Sequence, residues 1–185
     1  MSRQAWEETL FASVISGVAV ANTTTETIVI PNVTIPANYL QNGVCLRGRV
    51  IGQYSSTGTP QLGFGVRLGG VSGTVLCKST SVVVGSSVTA AMWDLDFLLQ
   101  VRSNGASGTI MANGIARVYA GVAATVGSAT GAPAITPMTA AGVITPAVAT
   151  VDLSVDQQLA VTAVWNAASA SNTLTALNYT IESMN

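Results

Sequence analysis

The sequence predicts an all-β protein, an antiparallel β-sandwich of jelly-roll-like form with a short N-terminal helix or arm. Hydrophobic and polar residues alternate along several segments, and a period of two is that of a β-strand with one buried face. Turn signals such as Asn42-Gly43 separate about eight to ten of these segments. Apolar residues recur at helical spacing only near the N-terminus. Many short strands with one marginal helix indicate a sandwich, and a jelly roll is the form we expect.

The helix candidate lies at residues 2–16. Trp6, Leu10 and Val14 recur every fourth residue and would form one apolar stripe along a helix. An isolated helix this short is marginal in water, so it would need a surface to pack against. A frayed terminus is the alternative.

The clearest strand is residues 88–102. Its apolar face holds Trp93, Leu95, Phe97, Leu99 and Val101. Residues 103–119 turn and return as the second half of an antiparallel hairpin, and residues 159–183 form another hairpin. Because Trp93 and Trp165 both fall on apolar faces, we expect them in the core rather than in a sugar-stacking platform.

Between the two hairpins, residues 118–151 contain no charged side chain. A disordered linker is usually polar or charged, whereas this stretch is mostly alanine, threonine and valine. Loops of this length in a compact domain are usually functional or disordered. We expect an ordered excursion at about 120–147 that lies against another surface, with a mobile loop as the alternative. The chain is thus divided into an N-terminal arm or short helix at 1–22 and a β-sandwich domain at 23–185.

Charged side chains are scarce throughout the sequence. They make up 8% of the 185 residues, whereas about 25% is typical. The net charge is −1 and the mean hydropathy is +0.50. A surface of neutral hydroxyl and amide groups loses its water more cheaply than a surface of ions, and weak charge favours association. This composition is typical of a protein that works by packing against other proteins.

Histidine is absent, which excludes a Ser-His-Asp triad, a Cys-His pair and a histidine-ligated metal. We therefore predict no enzyme activity, no cofactor and no metal site. The arginines are scattered, so the sequence lacks the positive patch that nucleic-acid binding needs. No run of about 18 apolar residues is present that could span a membrane. The first residues do not resemble a signal peptide. Cys45 and Cys77 are expected to be free thiols, with a single bridge as the alternative.

Asp94 and Asp96 are the acidic pair whose spacing could serve chemistry. On a strand, residues i and i+2 share a face about 7 Å apart, which would suit a glycosidase pair or a metal site. Arg47 and Arg49 have the same spacing on the polar face of another segment. We favour a structural interpretation, in which the four side chains form a cross-strand charge ladder.

Several short motifs, none of which carries chemistry, suggest a family. They are Trp6-Glu7-Glu8-Thr9-Leu10-Phe11, Asn22-Thr23-Thr24-Thr25-Glu26-Thr27, Ile35-Pro36-Ala37-Asn38-Tyr39-Leu40, Phe64-Gly65-Val66-Arg67-Leu68-Gly69-Gly70, Ala170-Ser171-Asn172-Thr173-Leu174 and Tyr179-Thr180-Ile181-Glu182-Ser183-Met184-Asn185. Through them most of the chain resembles small virion structural proteins of tailed bacteriophages. The resemblance implies a jelly-roll-like sandwich that is made in the host cytoplasm and located in the virion.

Within the virion we expect a capsid decoration (cement) protein that binds across capsomer junctions. Its partners would be the major capsid protein and further copies of itself in a homotrimer, without nucleic acid or membrane. A tail- or fibre-associated structural or receptor-binding module is the alternative. The candidate contact residues lie in the arm and in the excursion, with Trp6 as the anchor because tryptophan often carries interface energy. They are Trp6, Leu10, Phe11, Val122, Ile135, Met138 and Ile144.

Overall fold

The computed structural model describes residues 7–119, 133–140 and 146–184, and the regular elements in these ranges are all β-strands. They are β1 (Glu7–Ala12), β2 (Val20–Ala21), β3 (Thr27–Ile28), β4 (Val33–Ile35), β5 (Cys45–Ser56), β6 (Gln61–Leu68), β7 (Thr74–Ser79), β8 (Val82–Val83), β9 (Val88–Ser103), β10 (Gly108–Val118), β11 (Ala134–Thr139), β12 (Val148–Val151), β13 (Gln157–Trp165) and β14 (Thr173–Met184). The predicted all-β class is confirmed.

The strands form one continuous hydrogen-bonded sheet that folds over into two packed layers, called the first and the second sheet below. The first has the order β2-β14-β5-β9, and the second has β13 between β6 and the pair β3 and β4, with β7 on the far side of β6. The interruption between β3 and β4 falls at Pro31, which has no N–H to donate to a ladder. All the pairings are antiparallel. This arrangement, in which the chain passes back and forth between two sheets, is a jelly roll and confirms the predicted sandwich.

Further strands widen the first sheet. β1 pairs with β14, and β10 pairs with β9. The far edge of β10 is shared by β12 and β11, and β11 also pairs with β7 of the second sheet. Backbone hydrogen bonds therefore join the two sheets on this side. Of the excursion predicted at about 120–147, residues 120–132 and 141–145 lie outside the described residues.

Aromatic side chains fill the space between the sheets. The ring centres of Phe64 and Trp93 are 5.1 Å apart, and those of Tyr54 and Trp165 are 6.5 Å apart. The strands that carry each pair are not hydrogen-bonded neighbours, so these contacts are made face to face across the sandwich. Both tryptophans are completely buried, which confirms their predicted place in the core.

The helix predicted at residues 2–16 is wrong for the part of it that the structure describes. Residues 7–12 form β1, which lies along the edge of β14, and residues 13–16 are neither helix nor strand. A short isolated helix is only marginally stable in water. The unpaired edge of β14 instead provides backbone hydrogen-bond partners for this segment, so the strand is favoured. In this arrangement Phe11 stacks on Tyr179, with ring centres 5.6 Å apart. Val14, which the helical stripe would have buried, is 93% exposed.

The two buried tryptophans differ in one hydrogen bond, which gives a matched test of the core. Trp93 Nε1 donates to the carbonyl oxygen of Gln53 at 3.1 Å, whereas Trp165 Nε1 is buried and finds no partner among the described residues. We expect Trp93→Phe to lower the free energy of unfolding by roughly 1–3 kcal/mol more than Trp165→Phe does, because the first change removes a hydrogen bond and the second removes a buried N–H that has no partner. Urea denaturation of both variants measures the difference, and equal losses would contradict the assignment.

Candidate functional site

The candidate contact site is the outer face of the first sheet, defined by the outward side chains of β5, β9, β10 and β11. It includes four large apolar side chains, Met92, Leu98, Ile115 and Ile135, each at least 39% exposed. The alternation that directs the aromatic residues of β9 into the core directs these side chains to solvent. Single apolar residues are normal on a surface, so it is their grouping on neighbouring strands that makes this face a candidate contact site.

A charge cluster lies within the outer face. Arg117 Nη1 donates a short hydrogen bond to Asp94 and a second, at 2.8 Å, to Asp96 Oδ2. Arg49 Nε lies 3.8 Å from Asp96 Oδ1. The hydrogen bonds to Asp96 and Asp94 raise the pKa of Arg117 above its ordinary value. Two carboxylates and two guanidinium groups sum to zero, so the cluster adds no net charge to the apolar face.

The predicted charge ladder is therefore present, but one of its two arginines differs from the prediction. Arg49 belongs to it, but Arg47 lies opposite Leu98 and forms no ion pair with any described residue. Its place is taken by Arg117, because β10 pairs with β9 and sets Arg117 directly opposite Asp94. Since both carboxylates accept hydrogen bonds from one guanidinium group, the geometry supports a structural cluster rather than a glycosidase pair.

Beside the charge cluster, the outer face contains a groove of about 450 Å³ that is open to solvent. Its apolar walls are Leu98, Ile115 and Met184, and its polar walls are Arg47, Asp96 and Asn113. Side chains from β14, β5, β9 and β10 thus surround one depression. Such a mixture of apolar surface with a few polar groups is typical of a site that binds another molecule.

A second exposed feature is residues 13–18 between β1 and β2, named the N-terminal ridge below. Ser13 N and Gly17 N donate to carbonyl oxygens of β14 at 2.9 and 2.8 Å, and a tyrosine hydroxyl of β14 donates to the carbonyl oxygen of Ile15 at 3.1 Å. These bonds fix the backbone of the ridge. Its apolar side chains are nevertheless uncovered, since Val14 is 93% and Ile15 is 70% exposed.

The predicted contact residues lie in different environments. Trp6, Val122 and Ile144 lie outside the described residues. Leu10 and Phe11 are partly buried against the core of their own subunit. Ile135 is exposed on the outer face, whereas Met138 is completely buried inside the subunit and is not at the surface. A contact role for Leu10, Phe11 and Ile135 stays a prediction.

Sequence reasoning missed the ridge and the apolar part of the groove. Leu98 was visible as the apolar exception on the otherwise polar face of its strand, and that exception was the available signal. Ile115 carried a similar signal between Asn113 and Arg117. Val14 fits the helical stripe of the sequence, so the local pattern predicts it to be buried rather than exposed.

The second sheet carries an ion pair of its own, which gives a pH prediction. Burial raises the pKa of the Glu26 carboxyl, but hydrogen bonds from Arg67 and Thr162 outweigh it and hold the pKa below the ordinary value of 4.5. A carboxylate with a lowered pKa stabilises the fold above the unfolded value, and the contribution is lost as pH falls through the folded value. Urea midpoints should therefore fall as pH is lowered below 4.5. Glu26→Gln should lower the midpoint near neutral pH and weaken this dependence; an unchanged profile would contradict the assignment.

The remaining reactive groups are few. Cys45 and Cys77 are free, and burial raises the pKa of the Cys77 thiol to about 12, so it stays protonated at neutral pH. Among the described residues, no group of three or more His, Cys, Asp or Glu side chains is placed to hold a metal ion. Residues 7–119, 133–140 and 146–184 also contain no helix that is long and apolar enough to cross a membrane.

No protein-family model matches the chain, and no curated protein matches it. Among solved structures it is similar to the CBM2 module of the evolved Dit of Lactobacillus casei BL23 phage J-1, at 12% identity and a TM-score of 0.34, over 83% of this chain and 68% of that one. It is also similar to infectious bursal disease virus, Gx strain, at 14% identity and a TM-score of 0.18, over 99% of this chain and 40% of that one. Both neighbours are viral, and similarities this low carry no argument about function.

Proposed function

We propose that this chain is a structural protein of a bacteriophage virion and that it decorates the capsid, binding across capsomer junctions as a homotrimer. The single observation that carries the proposal is the N-terminal ridge, a fixed backbone that presents Val14 and Ile15 to solvent. The motifs shared with small virion proteins of tailed phages supply the biological setting. The scarcity of charge supports a role in contact rather than in chemistry.

The ridge is suited to a stable contact for two physical reasons. Residues 9–25 contain no charged side chain, so burying them against a partner removes no ion from water. The hydrogen bonds to β14 also fix the backbone in advance, which lowers the entropy lost on binding. A fixed backbone therefore reduces the entropic cost of a contact that buries Val14 and Ile15.

A decoration protein acts by mass action on the assembled shell. Each contact that forms only with the assembled capsid stabilises that state relative to its separated parts. A standard interface buries about 1,600 Å² in total, and several such contacts per trimer would resist the pressure of packaged DNA.

The test replaces Val14 and Ile15 together by serine, which removes apolar area while keeping the backbone hydrogen bonds of the ridge. Binding to purified capsids that lack the protein should weaken by at least about tenfold, as expected for two lost anchors. Val71→Ser combined with Val155→Ser is the matched control, because both valines are exposed in turns away from the ridge. If the ridge variant still filled its capsid sites as the control does, the ridge would not be the contact.

The number of copies per virion separates the decoration role from the tail- or fibre-associated alternative. A shell component should be present in hundreds of copies, and a tail component in a handful. Quantitative mass spectrometry of purified virions measures the ratio to the major capsid protein. A handful of copies would move the protein from the shell to the tail.

A further inference from the structure

The groove on the outer face contains two polar side chains that are not engaged within the part of the subunit that the structure describes. Asp96, its acidic wall, already accepts from Arg117 at 2.8 Å and lies 3.8 Å from Arg49. Arg47 and Asn113, in contrast, have no hydrogen bond or ion pair of their side chains with any described residue. The available polar groups are thus a guanidinium fork with five N–H donors and a side-chain amide.

These two side chains are placed to act together. Leu98 lies opposite Arg47 on one neighbouring strand and opposite Asn113 on the other. Two strand spacings separate the polar side chains by about 10 Å, which leaves room for one partner side chain over Leu98. Glu182 lies opposite Arg47 on β14 but forms no ion pair with it. The guanidinium group therefore stands free at the rim of an apolar depression.

We propose that the groove binds a segment of the decorated capsid protein in which an acidic residue stands next to a large apolar one. The apolar side chain covers Leu98, Ile115 and Met184. The carboxylate pairs with Arg47 in the bidentate geometry that a guanidinium fork favours. Charge complementarity favours this occupant, because the carboxylate pairs with Arg47, whereas a basic segment would meet its like charge.

The inference deepens the proposed function and rests on it for the identity of the partner. It does not depend on the ridge, which is a separate feature on the far side of β14. The groove and the ridge can therefore be tested independently on the same capsids.

The experiment measures binding of the full-length protein to purified undecorated capsids at several salt concentrations. Arg47→Gln and Leu98→Ser should each weaken binding by about tenfold, and Arg47→Gln should also reduce the dependence of binding on salt. Lys78→Gln is the control, since it removes one positive charge from an exposed position of β7, outside the outer face. It should bind as the unmodified protein does, and circular dichroism should show all variants folded.

Each outcome decides the matter. If the unmodified protein binds capsids and Arg47→Gln binds equally well, the groove proposal fails and the proposed function stands. If the unmodified protein does not bind capsids, both fail. If Arg47→Gln lowers self-association of the chain but leaves capsid binding unchanged, the occupant is a second copy and the proposal is overturned.

Discussion

Gly52→Ala should lower the free energy of unfolding by about 3 kcal/mol or more, although it adds a single methyl group. A Cβ atom at this position would lie 2.1 Å from the carbonyl oxygen of Thr175 and 2.6 Å from the ring of Trp93. The carbonyl belongs to the backbone of β14, and Trp93 is completely buried, so neither neighbour can move away cheaply. Urea denaturation followed by circular dichroism measures the loss.

Gly48 supplies the control for this prediction. A Cβ atom there would lie 2.0 Å from Cζ of Phe97, and its three nearest neighbours are all atoms of that ring. Phe97→Leu should therefore relieve Gly48→Ala, with an interaction energy of about 1–3 kcal/mol in a double-mutant cycle. Trp93→Leu should relieve Gly52→Ala much less, because the carbonyl contact remains. Additive effects in the Gly48 cycle would contradict the steric explanation.

These glycines show where sequence reasoning about the fold reaches its limit. The alternation of β9 is readable from the sequence because Asp94, Asp96 and Gln100 stand between its inward apolar residues. The register between β5 and β9 places Gly48 beneath Phe97 and Gly52 beneath Trp93. That register is a property of the folded chain and cannot be read from either strand alone. A glycine inside a strand signals close approach of another group but does not name that group.

The sequence does not predict the conformation of the N-terminal segment or the partner of Asp94, and the physical reason is the same in both cases. An apolar residue at every fourth position is compatible with a helix, and nothing local reveals that β14 has an edge available for pairing. The partner of Asp94 depends likewise on which strand lies beside β9. Arg49 reaches the two aspartates from β5 on one side of β9, and Arg117 reaches them from β10 on the other side. The sequence pattern indicates Arg49 as a partner but does not indicate Arg117.

Arg117→Met should lower the free energy of unfolding by about 3 kcal/mol, because it leaves a buried carboxylate without its cation. The side chain of Asp94 is only 3% exposed, and Arg117 is the cation that contacts it within the described ranges. Methionine keeps much of the length and apolar bulk of arginine, so the loss reports charge rather than volume. Arg49→Met should cost less than about 1 kcal/mol, because the Arg49 side chain is 56% exposed and its Nε is 3.8 Å from Asp96 Oδ1.

Adding Asp94→Asn to the Arg117→Met variant separates charge compensation from packing. The amide carries no charge, so the double variant should recover most of the stability that Arg117→Met loses, and urea midpoints of the single and double variants measure the recovery. A double variant as unstable as Arg117→Met would show that Arg117 acts through its contacts alone. The distinction bears on the contact role of the outer face. Burying a face against a partner costs less when its charges are paired, and Arg117 is the residue that pairs both Asp94 and Asp96.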